Sequence, residues 1–282
     1  MRSDARTPVE RYNGAVVSNV YFDLTRAFNA HGPVAALSSG QAVVYYRVAI
    51  MSKDGDWVVR ETDEACRRVL DVLAERGAWY RPGAPLDPRW LAGGWSSHFE
   101  YRDERGRRIR CDFFSRPPRV SADRVARLFE TMRDPLLVVD PESLVLMKQT
   151  QRAKDYAVIA ELASGLPPDR EMEVTTDVDR LLVLARQGHG AASTRGAAVA
   201  ARRGDRDAAL VALAREVDRL MRRDRTRVEA YSAAARPFLE RFATWSDEAR
   251  RLPEAHARVR ALAETWLPAS VPGTEMSDGD AQ

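Results

Sequence analysis

Apolar and polar residues recur with two periods along this chain, and the mixture changes near residue 168. Before it, segments with helical spacing lie among short apolar runs typical of strands. After it, alanine, leucine and arginine recur at helical spacing and strand-like runs end. The pattern predicts an α+β fold, a mixed sheet flanked by helices and followed by an all-α region. The expected divisions are domains 1–168 and 169–267, then a small, polar, disordered tail, 268–282.

Cap, turn and breaker residues place the individual elements. In the first domain we expect helices over 16–29, 62–76, 121–132 and 140–165, strands over 54–59, 96–102, 107–115 and 136–139, a small-residue turn at 38–40, and a helix or strand pair over 41–51. Residues 78–94 are predicted to form a loop that presents Trp79, Tyr80 and Trp90. In the second domain we expect helices over 177–187, 192–203, 205–223, 226–244 and 254–266.

Three aspartates are the main candidates for chemistry. Asp54 and Asp56 are one residue apart, so a strand would direct both side chains to the same face. Asp112 lies on the second hairpin strand among apolar residues, where a buried charge needs a partner such as a metal. Magnesium prefers such oxygen ligands, so the three predict a site for Mg²⁺ and a nucleoside triphosphate. The alternative is that residues 54–56 form a polar turn, since glycine is depleted in strands.

Composition and charge add few constraints. The 282 residues include 45% hydrophobic and 30% charged residues, and the formal charge of +3 permits an anionic partner without requiring one. Two cysteines, Cys66 and Cys111, offer neither a disulfide framework nor zinc spacing, which favours a reducing compartment. No apolar run approaches the roughly 20 residues that cross a bilayer. We therefore expect a cytoplasmic protein without a membrane partner.

The four histidines are isolated, without the spacing of a metal-ligand pair. His98 lies between Ser97 and Glu100 on the first hairpin strand. These three residues are interpreted as a solvated strand face rather than a catalytic group.

The order of these elements resembles the nucleotidyltransferase fold, most closely its bacterial toxin-type and abortive-infection-type branch. Ser39-Gly40 followed by Asp54-Gly55-Asp56 is similar to the family's glycine turn and Asp-x-Asp strand. The segment 140–155 is similar to its helix with a lysine, an arginine and a Lys-Asp pair. The resemblance covers residues 16–165.

This resemblance implies a reaction and a cofactor. A nucleoside monophosphate would pass from a nucleoside triphosphate, ATP among the candidates, to an RNA or protein acceptor, with magnesium bound. Asp54, Asp56 and Asp112 would hold the ions, and Asp112 would also take the proton of the acceptor. An antitoxin-like protein partner is a further implication.

The resemblance also implies phosphate contacts. Ser39 and Gly40 would cradle the β- and γ-phosphates, Lys148 would face the phosphates, and Arg152 would make a more distal contact. The alternative for Lys148 and Arg152 is a helix face held by charge pairs with Asp155, at spacing i, i+4, i+7. The arginines after residue 190 would suit the binding of RNA phosphates. Acidic residues alternate with them, which equally favours helix faces exposed to solvent.

Four positions depart from the family pattern. Ser39 replaces the first glycine of the turn, Ile50 an arginine, Gly55 a branched apolar residue, and Val158 an acid. They leave open a catalytically degenerate regulatory or partner-binding protein on the same fold. A generic α/β protein without nucleotide chemistry is the third alternative.

Overall fold

The computed structural model describes residues 19–130 and 134–273, and the backbone of residues 11–12 and 15–16. It confirms the α+β class, with a mixed five-stranded sheet, flanking helices and a helical C-terminal region. The strands of the described part are β1 Arg11–Tyr12, β2 Ala15–Val16, β3 Ala35–Ser38, β4 Gly55–Val59, β5 Trp79–Tyr80, β6 Ser97–Arg102 and β7 Arg108–Phe114. Its helices are α1 Val20–Phe28, α2 Ser39–Tyr45, α3 Asp63–Ala74, α4 Pro88–Ala92, α5 Ala122–Leu128, α6 Pro141–Met147, α7 Ala153–Ala163, α8 Pro168–Val174, α9 Val178–Arg186, α10 Gly196–Arg202, α11 Arg206–Ala243 and α12 Ala255–Trp266.

The main sheet has the order β3-β4-β7-β6-β5. Strands β4 and β7 are parallel, and the other neighbours are antiparallel. The segment predicted as a strand over 136–139 instead forms a single parallel bridge, Leu37 to Val138, beside β3. The amide of Leu37 donates to Leu137 O (2.8 Å), and that of Val139 donates to Leu37 O (2.9 Å).

Alternation along β4 divides the core between the two faces of the sheet. Trp57 lies on the first face, which α1 and α3 cover, and stacks on Phe113 of β7 with ring centroids 5.2 Å apart. Val58 lies on the second face, packed with Leu144 of α6 and Ile159 of α7. Asp56 shares the second face with Val58 because side chains alternate along a strand.

The predicted loop over 78–94 is wrong. It contains β5 and α4, and Tyr80 (0% exposed) and Trp90 (1%) are buried rather than presented. Asp87 caps α4 by accepting from the amide of Arg89 (2.9 Å), with Pro88 at the first helical position. Burial of large aromatic side chains contributes enough free energy to order a segment rich in proline and glycine.

Several helix limits also differ from expectation. The helix expected over 140–165 is broken at 148–152 into α6 and α7, whereas those expected over 205–223 and 226–244 are one helix, α11. Residues 39–45 form α2, so no strand pair occupies 41–51, and α1 begins at Val20, where the Asn19 side chain caps it by accepting from the amide of Tyr21. Helix α8 was not expected. The end of the helix expected over 121–132 falls partly outside the described residues.

The C-terminal helices share a core with the sheet. Phe238 and Phe242 of α11 and Val259 of α12 belong to the same apolar cluster as Trp57. Residues 268–273, expected to be disordered, pack on the protein: Trp95 Nε1 donates to Pro268 O at 2.9 Å. Residues 274–282 of the expected tail lie outside the described part, and the domain boundary at 168 stays a prediction. No helix among the described residues is long and apolar enough to cross a membrane.

Candidate active site

Four polar residues form a row across the second face of the sheet. Ser38 of β3 is the register partner of Asp56 of β4, Asp56 that of Asp112 of β7, and Asp112 that of His98 of β6. Register partners on neighbouring strands direct their side chains to the same face. We call these four residues the polar row. The strand order therefore brings Asp56 and Asp112, 56 residues apart in sequence, side by side.

The carboxylate of Asp56 in the polar row is incompletely neutralised. Burial raises the pKa of Asp56 to about 7 from 3.8, and repulsion from Asp112 adds to this effect. Lys148 and His98 oppose the shift, whereas Asp54 adds to it. A carboxyl with such a pKa favours the binding of a proton or a cation.

Asp112 is held by two basic side chains that the sequence reasoning did not assign to the site. Arg81 Nη1 donates to Asp112 Oδ1 at 3.1 Å, and His98 Nδ1 lies 2.9 Å from the same oxygen. The His98 contact lacks hydrogen-bond alignment, since Nδ1 is buried without a hydrogen-bond partner among the described residues. The His98 side chain is partly exposed (29%), but its Nδ1 is buried against Asp112, so the expected solvated face holds for this residue only in part. The predicted hairpin could have indicated this contact, because the pairing of its two strands places His98 opposite Asp112.

Ser97 and Glu100 are also buried rather than solvated (0% and 2% exposed). Glu100 accepts two hydrogen bonds from Arg108, each 2.8 Å, and one from Arg110 Nε at 3.3 Å. Hydrogen bonds from these arginines lower the pKa of Glu100 despite its burial, which raises it. Glu100 is thus a structural anion beside the polar row.

Asp54 lies one residue before β4 and at the edge of the site. Its Oδ1 is 3.8 Å from Arg110 Nη1. Gly55, which begins the strand, is required by packing, because a Cβ there would overlap the rings of Tyr21 and Trp57. The departure from a branched residue at this position therefore has a local steric reason.

Lys148 and Arg152 converge on one buried acid. Lys148 ends α6 and places Nζ 3.7 Å from Asp155 Oδ1, while Arg152 Nε donates to Asp155 Oδ2 at 2.8 Å. Burial lowers the pKa of Lys148, and Asp155 and Asp56 oppose the shift. The two cations do not share a helix face, since α6 ends before Arg152. Both cations instead pair with Asp155, which is the alternative that the sequence left open. Lys148 also lowers the pKa of Asp56.

The small-residue turn lies next to the polar row. Ser39 begins α2 with a positive φ of 48°, a left-handed conformation that favours glycine. A Cβ at Gly40 would overlap Ser52, so the turn packs closely on the segment that leads to Asp54. The hydroxyl of Ser38 donates to Asp56 O at 3.2 Å and does not cap α2.

The arrangement fits a divalent ion only in part. Asp56 and Asp112 lie together, but Asp112 contacts Arg81 and His98, and Asp54 faces Arg110. In the part of the chain that the structure describes, no three His, Cys, Asp or Glu side chains are placed to hold a metal ion. Two carboxylates completed by water or phosphate oxygens remain a suitable set for Mg²⁺.

Comparison with known proteins adds no family assignment. No protein-family model and no curated protein matches the sequence. One similar solved structure is that of JHP933 from Helicobacter pylori, 11% identical, covering 76% of this chain and 94% of that chain, with a TM-score of 0.39. A TM-score below 0.5 does not show a shared fold, and we draw no structural or functional conclusion from this similarity.

Proposed function

We propose that the protein is a magnesium-dependent nucleotidyltransferase that moves a nucleoside monophosphate from a nucleoside triphosphate to an RNA or protein acceptor. One observation carries the proposal: Asp56 and Asp112 are register partners on adjacent parallel strands and face the same side. Two acids so placed repel each other, and a divalent cation relieves that repulsion.

Asp56 and Asp112 would hold the ion, with Asp54 contributing from the edge. Magnesium bound there would neutralise charge on the phosphates and orient them. Lys148 already contributes positive potential at Asp56 and would face the triphosphate. Asp112 would accept the proton of the attacking group.

Ser39 and Gly40 would approach the β- and γ-phosphates, because the turn lies directly after β3 and beside the segment leading to Asp54. Arg152 would make a distal contact, its side chain being half exposed while it bonds Asp155. An ATP preference, a toxin-like role with an antitoxin-like partner, and a cytoplasmic location belong to this proposal.

The test is incorporation of label from each of the four α-labelled nucleoside triphosphates into RNA or protein, with Mg²⁺ or Mn²⁺. The D56N and D112N variants are expected to lose at least about 100-fold in rate, since each removes a carboxylate at the reacting phosphate. The matched control is D71N, because Asp71 is exposed on α3. A folded wild type that labels no acceptor with any triphosphate contradicts the proposal.

A second candidate function is a regulatory or partner-binding protein without catalysis. The contacts of Arg81 and His98 with Asp112 favour it, since side chains of the protein itself then stand where a metal is expected. Calorimetry with Mg²⁺ and each triphosphate separates the two. Metal-dependent triphosphate binding supports the enzyme, and its absence from the folded protein supports the second candidate.

A further inference from the structure

A cleft of about 650 Å³ lies at the carboxyl ends of β4 and β7, away from the residues of the polar row. Its walls come from the segments after these strands, from α5, from α11 and from residues 270–271. The volume falls within the range of small-molecule sites. We call it the arginine cleft, because Arg119 and Arg227 line it.

Arg119 is buried, 7% exposed, with an unmatched donor. Its Nη2 has no hydrogen-bond partner among the described residues, and Asp224 Oδ1 is 3.9 Å away, beyond hydrogen-bond distance. Its backbone has a positive φ of 65°, a conformation that costs free energy for a side-chain-bearing residue. Burial lowers the pKa of Arg119. Orphaned buried donors are rare in proteins and call for an explanation.

Arg227 of α11 has a similar unmatched nitrogen and lies close to Arg119, since both approach Asp224 Oδ1. Its Nε is buried and has no hydrogen-bond partner within the described part of the chain, while Nη2 lies 3.3 Å from Asp224 Oδ1. Both guanidinium groups thus share Asp224, whose other oxygen accepts from the amide of Gln151 at 2.9 Å. One carboxylate does not balance the buried Arg119 and the partly exposed Arg227, so an anion in the cleft would be stabilised.

The remaining walls combine apolar surface with charged side chains, namely the paired Arg116 and Glu61, and Arg60 and Glu130. Val125 of α5 and Phe129 just after it contribute aliphatic and aromatic surface, and Tyr231 of α11 adds a ring whose hydroxyl donates to Gly93 O at 2.8 Å. The Gly93 backbone lies so close to Ala269 that a Cβ would overlap its carbonyl. The chain segments around the cleft are therefore joined to one another, which favours binding without large rearrangement.

We propose that the arginine cleft binds a small organic anion, a carboxylate or phosphate attached to an aromatic or similar apolar group. The anion pairs with the guanidinium groups of Arg119 and Arg227, and the apolar group packs against α5 and Tyr231. This site is independent of the carboxylates of the polar row and does not rest on nucleotidyl transfer.

The experiment is titration calorimetry of the full chain with phenyl phosphate, benzoate, phenol and inorganic phosphate. Phenyl phosphate or benzoate is expected to bind at least about tenfold more tightly than phenol or inorganic phosphate, because only these two supply both charge and apolar surface. The tighter of the two identifies phosphate or carboxylate. R227Q is expected to weaken that binding about tenfold. R222Q is the matched control, since Arg222 lies on the same helix and pairs at the surface with Asp218.

A second variant covers the case in which R227Q does not fold. Ser270 is exposed at the cleft, so S270E is expected to fold and to repel the anion. D56N is expected to bind the probe as the wild type does. The proposal is overturned if neither organic anion binds, if phenol or inorganic phosphate binds as tightly, if the folded cleft variants bind like the wild type, or if D56N abolishes binding.

Discussion

Replacing Asp56 by asparagine should stabilise the protein at alkaline pH. The carboxyl has an ordinary pKa of 3.8, raised to about 7 in the folded protein by burial and by Asp112. Between these values the folded state holds a proton that the unfolded state has lost. The free energy of unfolding therefore falls as pH rises from about 4 to about 7 and then becomes constant.

The difference between the two pKa values corresponds to at most roughly 4 kcal/mol. Asparagine has nearly the same shape and no charge, so D56N removes this pH-dependent loss. We expect D56N to exceed the wild type by roughly 1–3 kcal/mol at pH 8. For a chain of this length that is a rise in Tm of about 2–10 °C. At pH 4 the two proteins should have nearly equal stability.

Urea unfolding and calorimetry at pH 4, 6 and 8 measure this effect, with D71N at the exposed α3 position as control. Mg²⁺ at pH 8 should stabilise the wild type and leave D56N unchanged if the carboxylate pair binds the ion. The reasoning fails if D56N is less stable than the wild type at pH 8, or if both lose the same stability between pH 4 and 8.

Three further predictions concern two packing contacts and one buried ion pair. G40A should cost about 1–3 kcal/mol in urea unfolding, because the new methyl overlaps Ser52, and adding S52G should restore most of the loss. R180A should cost about 2–4 kcal/mol in urea unfolding, because it leaves buried Glu171 without its two hydrogen bonds of 2.6 and 2.7 Å; a loss below about 1 kcal/mol, the size expected for an exposed pair, would contradict this. F238A should cost about 3–5 kcal/mol and keep a single calorimetric transition, because the α11 ring belongs to the sheet core; a separate low-temperature transition would refute that.

Local signals in the sequence were sufficient for many elements. Thr62, Ser121 and Asp140 were expected to begin helices, and each accepts a hydrogen bond from an amide in the first turn. The hairpin of β6 and β7 also follows from alternation around a polar turn. These features depend on residues within a few positions of one another, which is the range that sequence patterns report.

The errors come from interactions between distant segments. The break at 148–152 is fixed partly by Asp224 of α11, which accepts from the amide of Gln151, and partly by Thr150, whose hydroxyl donates to Asp155 at 2.6 Å. Tyr80 is buried beside α12, where its hydroxyl oxygen lies 2.8 Å from His256 Nδ1. Asp224 and His256 lie far along the chain from the residues that they contact, so local spacing predicts neither contact, whereas the bond between Thr150 and Asp155 is local and was not recognised.

The candidate site shows the same division between features that local sequence predicts and features that depend on distant segments. Residue type and strand assignment indicated Asp56 and Asp112, but their pairing depends on the parallel contact of β4 and β7. The pairing of β6 with β7 places His98 beside Asp112, and the pairing of β5 with β6 brings Arg81 to the same acid. The burial of residues 78–94 was not expected, which explains why Arg81 was missed. Asp54 was expected as an equal member and instead lies at the edge, near Arg110.

Charge balance is the property that links the two candidate functions. Asp112 has Arg81 and His98, whereas Asp56 depends mainly on Lys148, which also pairs with Asp155. Asp56 is thus the acid with the weaker compensation, and burial together with repulsion from Asp112 raises its pKa. A proton, a divalent ion or a basic group of a partner can supply the missing charge. Of these three, only a divalent ion would also bind a triphosphate. Metal-dependent triphosphate binding is therefore the measurement that decides between an enzyme and a binding protein.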